Sequence, residues 1–208
     1  MGHSIAGEEL SSIGSRHPEK VAGLIYLDAG YSYAYYDRSR GDFNIDLMEL
    51  RKKLDQLVPG KGPGDSRPLI QELLETTLPG FEKDLREEQK RIDAMPPALL
   101  SAQASAPMPA AATAIIEGEQ KYTEIHAPIL AIYAVPHDFG PAMGRDPAVR
   151  AKFEAQDEAT TGAQAKAFET GVPSAHIVRL AHANHYVYLS NEADVLREMN
   201  AFIAALPQ

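Results

Sequence analysis

The chain of 208 residues contains no cysteine. That absence excludes disulfides, thiolate metal sites and a cysteine nucleophile, and it leaves the redox compartment open. Basic side chains are in short supply, 20 Lys and Arg against 29 Asp and Glu, for a formal net charge of −9. Such a surface repels a phosphate backbone, and no local basic patch offsets it, so nucleic acid is not an expected partner. No stretch approaches the roughly 18 consecutive apolar residues of a membrane-spanning helix. No signal peptide is visible either, which makes the cytoplasm the default compartment and leaves it open while the amino end is in doubt. The histidines His3, His17, His126, His137, His176, His182 and His185 include no His-Glu-x-x-His or comparable helical pair. Neither a metal nor any other cofactor is therefore expected.

What is present is enough length and apolar sequence, 208 residues and 44% hydrophobic, for one ordinary domain with a sizeable core or one domain with a small insertion. The segment around which it is organised comes at once: Gly2-His3-Ser4-Ile5-Ala6-Gly7. A serine with small residues two positions away on either side reads as a sharp strand-to-helix turn that presents a hydroxyl for attack. The spacing answers to crowding, because strand and helix approach closely there and bulky side chains at positions 2 and 6 would collide. Ala6 stands where a second glycine often sits, and Gly7 follows it. Only Met1 precedes the turn, so the strand that should lead into it is expected to be absent.

From Ile5 to His17 the apolar positions Ile5, Ala6, Leu10 and Ile13 recur at helical spacing, and Pro18 ends the pattern. Val21 to Leu27 is a short apolar run closing on Asp28-Ala29-Gly30, the mark of a strand buried on both faces of a parallel sheet. Residues 31 to 123 change character. Helices are expected over Asp46 to Val58, Pro68 to Leu78 and Phe81 to Met95, the last with Glu82 to Arg86 and Glu87 to Arg91 spaced for i,i+4 pairing. Pro96-Pro97 and Ser101 to Ala112 read as connectors, and the whole region as a helical insertion capping a site. Strand character resumes at Pro128 to Ala134, followed by the loop Val135 to Gly140. Asp146-Pro147 opens a helix running towards Thr170 with a break at Gly162, Ala175 to Leu180 is a third strand, and Ser190 or Asn191 caps a closing helix. The expected domains are residues 1–30 with 124–208 as core and 31–123 as insertion.

A serine after one strand, an aspartate after a later strand and a histidine after the last is the order a Ser…Asp…His hydrolase requires, each group at the carboxyl end of a parallel strand. Ser4 is the candidate nucleophile, Asp138 the acid and His185 the base, favoured over His182 by its Asn-His-Tyr context, with His3 assigned to packing or hydrogen bonding. These residues carry a resemblance. Gly2 to Gly7, Pro18 to Ala29, Pro128 to Ala134 with Asp138, and Asn184 to Ser190 together resemble the carboxyl-terminal part of an alpha/beta-hydrolase of the capped serine esterase type.

The resemblance implies an α/β fold. It consists of a mostly parallel sheet made of the last three strands, helices on both faces, a helical cap insertion, and early strands that are missing. It also implies hydrolysis of a carboxylic ester or similar acyl bond in a small molecule through a serine acyl-enzyme. Position 4 is serine, which argues against relatives with an aspartate nucleophile. In the family the acid usually falls at the place of His137, so Asp138 implies a loop one residue longer, and Asp28 is the competing acid. The backbone N–H of Ile5 is one oxyanion donor, and its partner donor has no residue here. Tyr31 and Tyr33, in a run with Tyr35 and Tyr36, read either as cap packing or as an aromatic wall for the substrate. The alternative function is a non-catalytic, hydrolase-like binding module or truncated remnant.

Strands written as continuous apolar runs expect neighbours, and a half-sheet leaves an open edge. Loss of one oxyanion donor alone costs about 10²–10³ in turnover. The chain by itself is accordingly expected to be poorly soluble, self-associating or inactive; a circular dichroism melt showing a cooperative, soluble monomer with esterase activity would contradict this.

Overall fold

The computed structural model describes residues 1–93, 114–115, 117–140 and 146–207. The connectors expected at Pro96-Pro97 and over Ser101 to Ala112, and the end of the charged helix at Ala94 and Met95, lie outside the described residues. In chain order the elements are β1 (Gly2–His3), α1 (Ala6–Arg16), β2 (Leu24–Leu27), α2 (Phe43–Asp55), α3 (Arg67–Glu72), α4 (Leu78–Asp93), β3 (Ile129–Ala134), α5 (Pro147–Asp157), α6 (Ala163–Gly171), β4 (Ala175–Leu180), α7 (Val187–Ser190) and α8 (Glu192–Ala205). No helix among the described residues is long and apolar enough to cross a membrane.

The protein is of the α/β class, with one parallel sheet of four strands in the order β1-β2-β3-β4. Three strands were expected. The additional one is the strand end that the serine turn requires: Gly2 and His3 pair in register with Tyr26 and Leu27, so that strand is short rather than absent. Side chains alternate across a strand, and here both faces are apolar. Tyr26, Ile129, Ala131 and Tyr133 pack on one side with Leu10 of α1 and Phe168 of α6. Ile25, Leu27, Leu130, Ile132 and Ala134 pack on the other with Val187 of α7 and Val195 of α8. The hydroxyls buried in these layers are satisfied. Tyr26 shares a 3.0 Å hydrogen bond with Ser11, and Tyr133 donates to the Gly30 carbonyl at 2.6 Å.

Two compact units are present, residues 1–38 with 121–208 and residues 39–120, so the first boundary falls eight residues after the expected 30 and the second three residues before the expected 124. In the second unit the Asp42 carboxylate caps α2 by accepting from the amides of Asn44 and Ile45. Two helices were expected from 68 to 95. Instead α3 runs into α4 through a wide turn of five residues, Leu73–Thr77, with no break. Pro79 supplies the reason: it has no N–H for the preceding turn and its ring crowds the carbonyl four residues back, which a widened turn relieves. Leu50, Leu69 and Leu73 with Phe81 form the unit's small core. On α4 the pair Glu82–Arg86 forms as expected, whereas Arg91 pairs with Glu88 and leaves Glu87 to Lys90.

In the first unit Asp146 caps α5 through the Ala148 amide. The expected break at Gly162 is again a wide turn, Glu158–Gly162, leading directly into α6. Ahead of both, α1 is held close to the sheet by glycine. A Cβ on Gly2 would stand 2.8 Å from that of Ala6, and one on Gly7 would run into the carbonyl oxygen of Ala29. Backbone cannot yield as a flexible side chain does. Gly7→Ala is therefore expected to destabilise by roughly 1–3 kcal/mol, several degrees of Tm for a chain of this size. Gly80→Ala, in α4 with nothing within 4 Å of the added carbon, is expected to hold or raise Tm. Thermal melts of the two variants check the contrast.

Candidate functional site

Three side chains of the site leave the carboxyl ends of neighbouring strands. Ser4 follows β1 at φ 54 and Asp28 follows β2 at φ 45, both in the left-handed region that non-glycine residues seldom adopt. The ladder outlasts the strands and fixes both positions. The Ser4 amide donates to the Leu27 carbonyl at 3.3 Å, and the Asp28 amide donates to Ile132 at 2.7 Å. Ser4 and Asp28 thus follow adjacent strands, each one residue beyond the paired His3 and Leu27. The loops after β3 and β4 are stitched together by Asp138 N–H donating to the Ala183 carbonyl and His182 N–H donating to Pro136, each at 2.8 Å. This brings His185 back over the sheet end.

His185 Nδ1–H donates to Asp28 Oδ2 at 2.7 Å. Asp138, the preferred acid from sequence, is not its partner. That side chain is exposed, and its Oδ1 accepts from the amide of Gly140 at 2.8 Å within its own loop. The competing candidate, Asp28, is the carboxylate that meets His185; a neutral ring that donates from Nδ1 keeps the lone pair of Nε2. Ser4 Oγ makes no hydrogen bond among the described residues, and neither does the backbone N–H of Ile5. Ile5 stands immediately before α1, where unpaired amides collect and the helix dipole favours negative charge.

Asp28 is fully buried. Its Oδ1 accepts from the Ala134 amide at 3.0 Å. Its Oδ2 accepts from Tyr31 OH at 2.9 Å and His137 Nε2 at 2.8 Å in addition to His185. Burial pushes the carboxyl up, but the hydrogen bond and charge of His137, the hydrogen bond of His185 and the Ala134 amide outweigh it and hold the group below its ordinary 3.8. Tyr31 was read as cap packing or substrate wall. Its hydroxyl instead serves the carboxylate, and burial together with Asp28 raises its pKa far above the usual tyrosine value. Tyr33 lies 5.7 Å from the Tyr31 ring and packs against the core.

His137 and Asp157 had no place in the expected site. His137 Nδ1 donates to Asp157 Oδ2 at 2.8 Å, its backbone amide reaches the same oxygen at 2.7 Å, and Thr161 Oγ1 donates to Asp157 Oδ1 at 2.8 Å. Burial of the ring lowers its pKa, yet hydrogen bonds and charge from Asp28 and then Asp157 raise it overall above 6.5. The sequence offered one signal for His137, its position where the family usually places the acid. Asp157 gave none, being one acidic residue on a charged helix.

His3 behaves as expected. Its Nε2–H donates to the His185 carbonyl at 2.9 Å, and its ring lies 4.5 Å from that of His185. His182 is exposed, 3.8 Å from Glu154. Asp28, His137 and His185 also bring potential metal-ligating atoms within 4.8 Å of one another. Each imidazole already meets the carboxylate at hydrogen-bonding distance, and the second nitrogen of His137 faces another carboxylate. Shared protons account for the grouping.

Compared with protein-family models, curated proteins and solved structures, the chain matches none.

The two buried groups give stability a window in pH. Asp28, with its pKa lowered, contributes stability that is present above 3.8 and lost as pH falls through its folded value. His137, with its pKa raised, contributes stability that is fully present below 6.5 and lost as pH rises through its folded value. The Tm is expected to be highest between these limits and to fall on both sides. His137→Gln should remove the alkaline fall specifically, which differential scanning calorimetry across pH checks.

Proposed function

We propose that the protein is a serine hydrolase that cleaves a carboxylic ester or similar acyl bond in a small molecule. The observation that carries this reading is the left-handed Ser4 turn between β1 and α1, one strand away from the hydrogen-bonded pair Asp28 and His185. A turn of that strain is retained where its side chain has to be aimed. Its order along the chain is Ser4, Asp28, His185, with the acid after β2 in place of the later position expected from sequence.

In the proposed reaction His185 Nε2 takes the hydroxyl proton of Ser4 as Oγ bonds to the carbonyl carbon of the ester. Asp28 keeps Nδ1 protonated and stabilises the imidazolium that forms. The oxyanion meets the backbone N–H of Ile5 at the positive end of α1. As the intermediate collapses, the C–O bond to the alcohol breaks and the alcohol takes the proton from His185. Water then gives a proton to the same nitrogen and attacks the acyl carbon, which releases the acid and restores the Ser4 hydroxyl. Ser4 and His185 share no hydrogen bond in the free protein; bonds of this kind tighten as the substrate complex forms.

A fluorophosphonate probe is expected to label Ser4 and to fail on Ser4→Ala. Asp28→Asn should slow labelling and ester turnover by about 10⁴, while Asp138→Asn stays within about twofold, as befits an exposed loop residue. Absence of labelling in folded wild-type protein would favour the non-catalytic binding module instead.

A further inference from the structure

His137 is buried and meets a carboxylate oxygen at each ring nitrogen, Asp157 Oδ2 and Asp28 Oδ2, both at 2.8 Å. An ionised carboxylate can only accept, so a ring that serves two of them must donate from both nitrogens and carry a positive charge. No buried side-chain polar atom of the described residues is left without a partner. A neutral ring would have one nitrogen lone pair facing a buried carboxylate, which is repulsive and costly. Asp157 is held for this purpose from two sides, by the His137 amide and by Thr161 from the wide turn that follows α5. Turns of that kind recur at functional sites.

We propose that His137 and Asp157 are positioning residues of the hydrolytic site: a buried imidazolium clamped between two carboxylates, which orients Asp28 and offsets part of its negative charge as seen by His185. The inference rests on the serine hydrolase reading for its catalytic consequence, though not for the charged bridge itself. Both histidines bond one oxygen of Asp28, and their ring centroids are 6.4 Å apart. A triad whose acid is unopposed would hold a proton on its base more tightly and switch on only at higher pH. The cation at His137 counteracts this by offsetting part of the charge that Asp28 presents to the base.

The charged and titratable groups around the pair come from several elements. His137 faces Asp28, Tyr31 and Asp157. His185 faces Asp28, His3 and Tyr186. Tyr133 feels Asp28 from within the sheet, and Glu154 is engaged with His182 rather than with the bridge. Among these, His137 is the cation in direct contact with Asp28 other than the base itself.

Nitrogen-15 histidine NMR and kinetics with a 4-nitrophenyl ester test the proposal together. In wild-type protein both ring nitrogens of His137 should be protonated at neutral pH. In His137→Gln the acid limb of kcat/KM should move upward by about one pH unit, the effect of removing a unit charge about 6 Å away in a partly screened site. A purely structural role would lower kcat/KM at every pH and leave the limb in place. That outcome, or a His137 ring with one unprotonated nitrogen at neutral pH, overturns the proposal. Should His137→Gln not fold, the wild-type spectrum still decides the charge of the bridge. Loss of the hydrolase reading looks different: no ester turnover at any pH, with the NMR shifts unaffected.

Discussion

A carboxylate with no access to water has to be surrounded by donors, and that requirement at Asp28 shapes the whole carboxyl end of the sheet. Its two oxygens take up a backbone amide of β3, a tyrosine hydroxyl from the loop after β2, and imidazoles from the loops after β3 and β4. Remove the anion and these three loops lose their common point of attachment. Because breaking one partner of a buried charged group leaves the rest uncompensated, the loops are bound to Asp28 more firmly than a count of hydrogen bonds suggests. The sheet in turn fixes Asp28, whose amide continues the ladder beyond the last paired residue of β2.

The fold was largely legible because its signals are local. Short apolar runs at 21–27 and 128–134 became β2 and β3, since strands buried on both faces must be apolar throughout, while the third candidate, 175–180, became the less buried β4. Asp146-Pro147 marks a helix start by capping chemistry that needs no tertiary knowledge, whereas the helix expected from Asp46 begins at Phe43, capped by Asp42. What escaped was non-local or lacked a periodic signal. Two residues, Gly2 and His3, are too few to show alternation, and they are a strand only because β2 offers them a ladder. The wide turns that fuse α3 with α4 and α5 with α6 read as helix ends, since proline and glycine break a periodic pattern whether or not the backbone continues through them.

The site divides in the same way. Ser4 and His185 were marked by their immediate neighbours, small residues around the one and the strand-end loop of the other. The acid was not, because an aspartate at a strand end is common and two of them competed. Asp28 is distinguished from Asp138 by a backbone angle and by the direction of a loop, and neither is written in nearby residues. Asp157 is further still from any sequence signal. It reaches the site from the end of a charged helix, and only the fold reveals that its neighbour is an imidazole. Where a buried charge meets its partner is a property of the assembled chain.

In the proposed reaction His3 would join the nucleophile to the base in a way that bears on precision. It precedes Ser4 by one residue and its ring holds the carbonyl of His185. Attack and proton transfer depend on where these two groups stand relative to each other, so a displacement shared by both does no harm. Through this hydrogen bond a displacement of β1 that carried Ser4 would tend to carry the backbone of His185 with it, so that the proposed pair would keep its relative alignment.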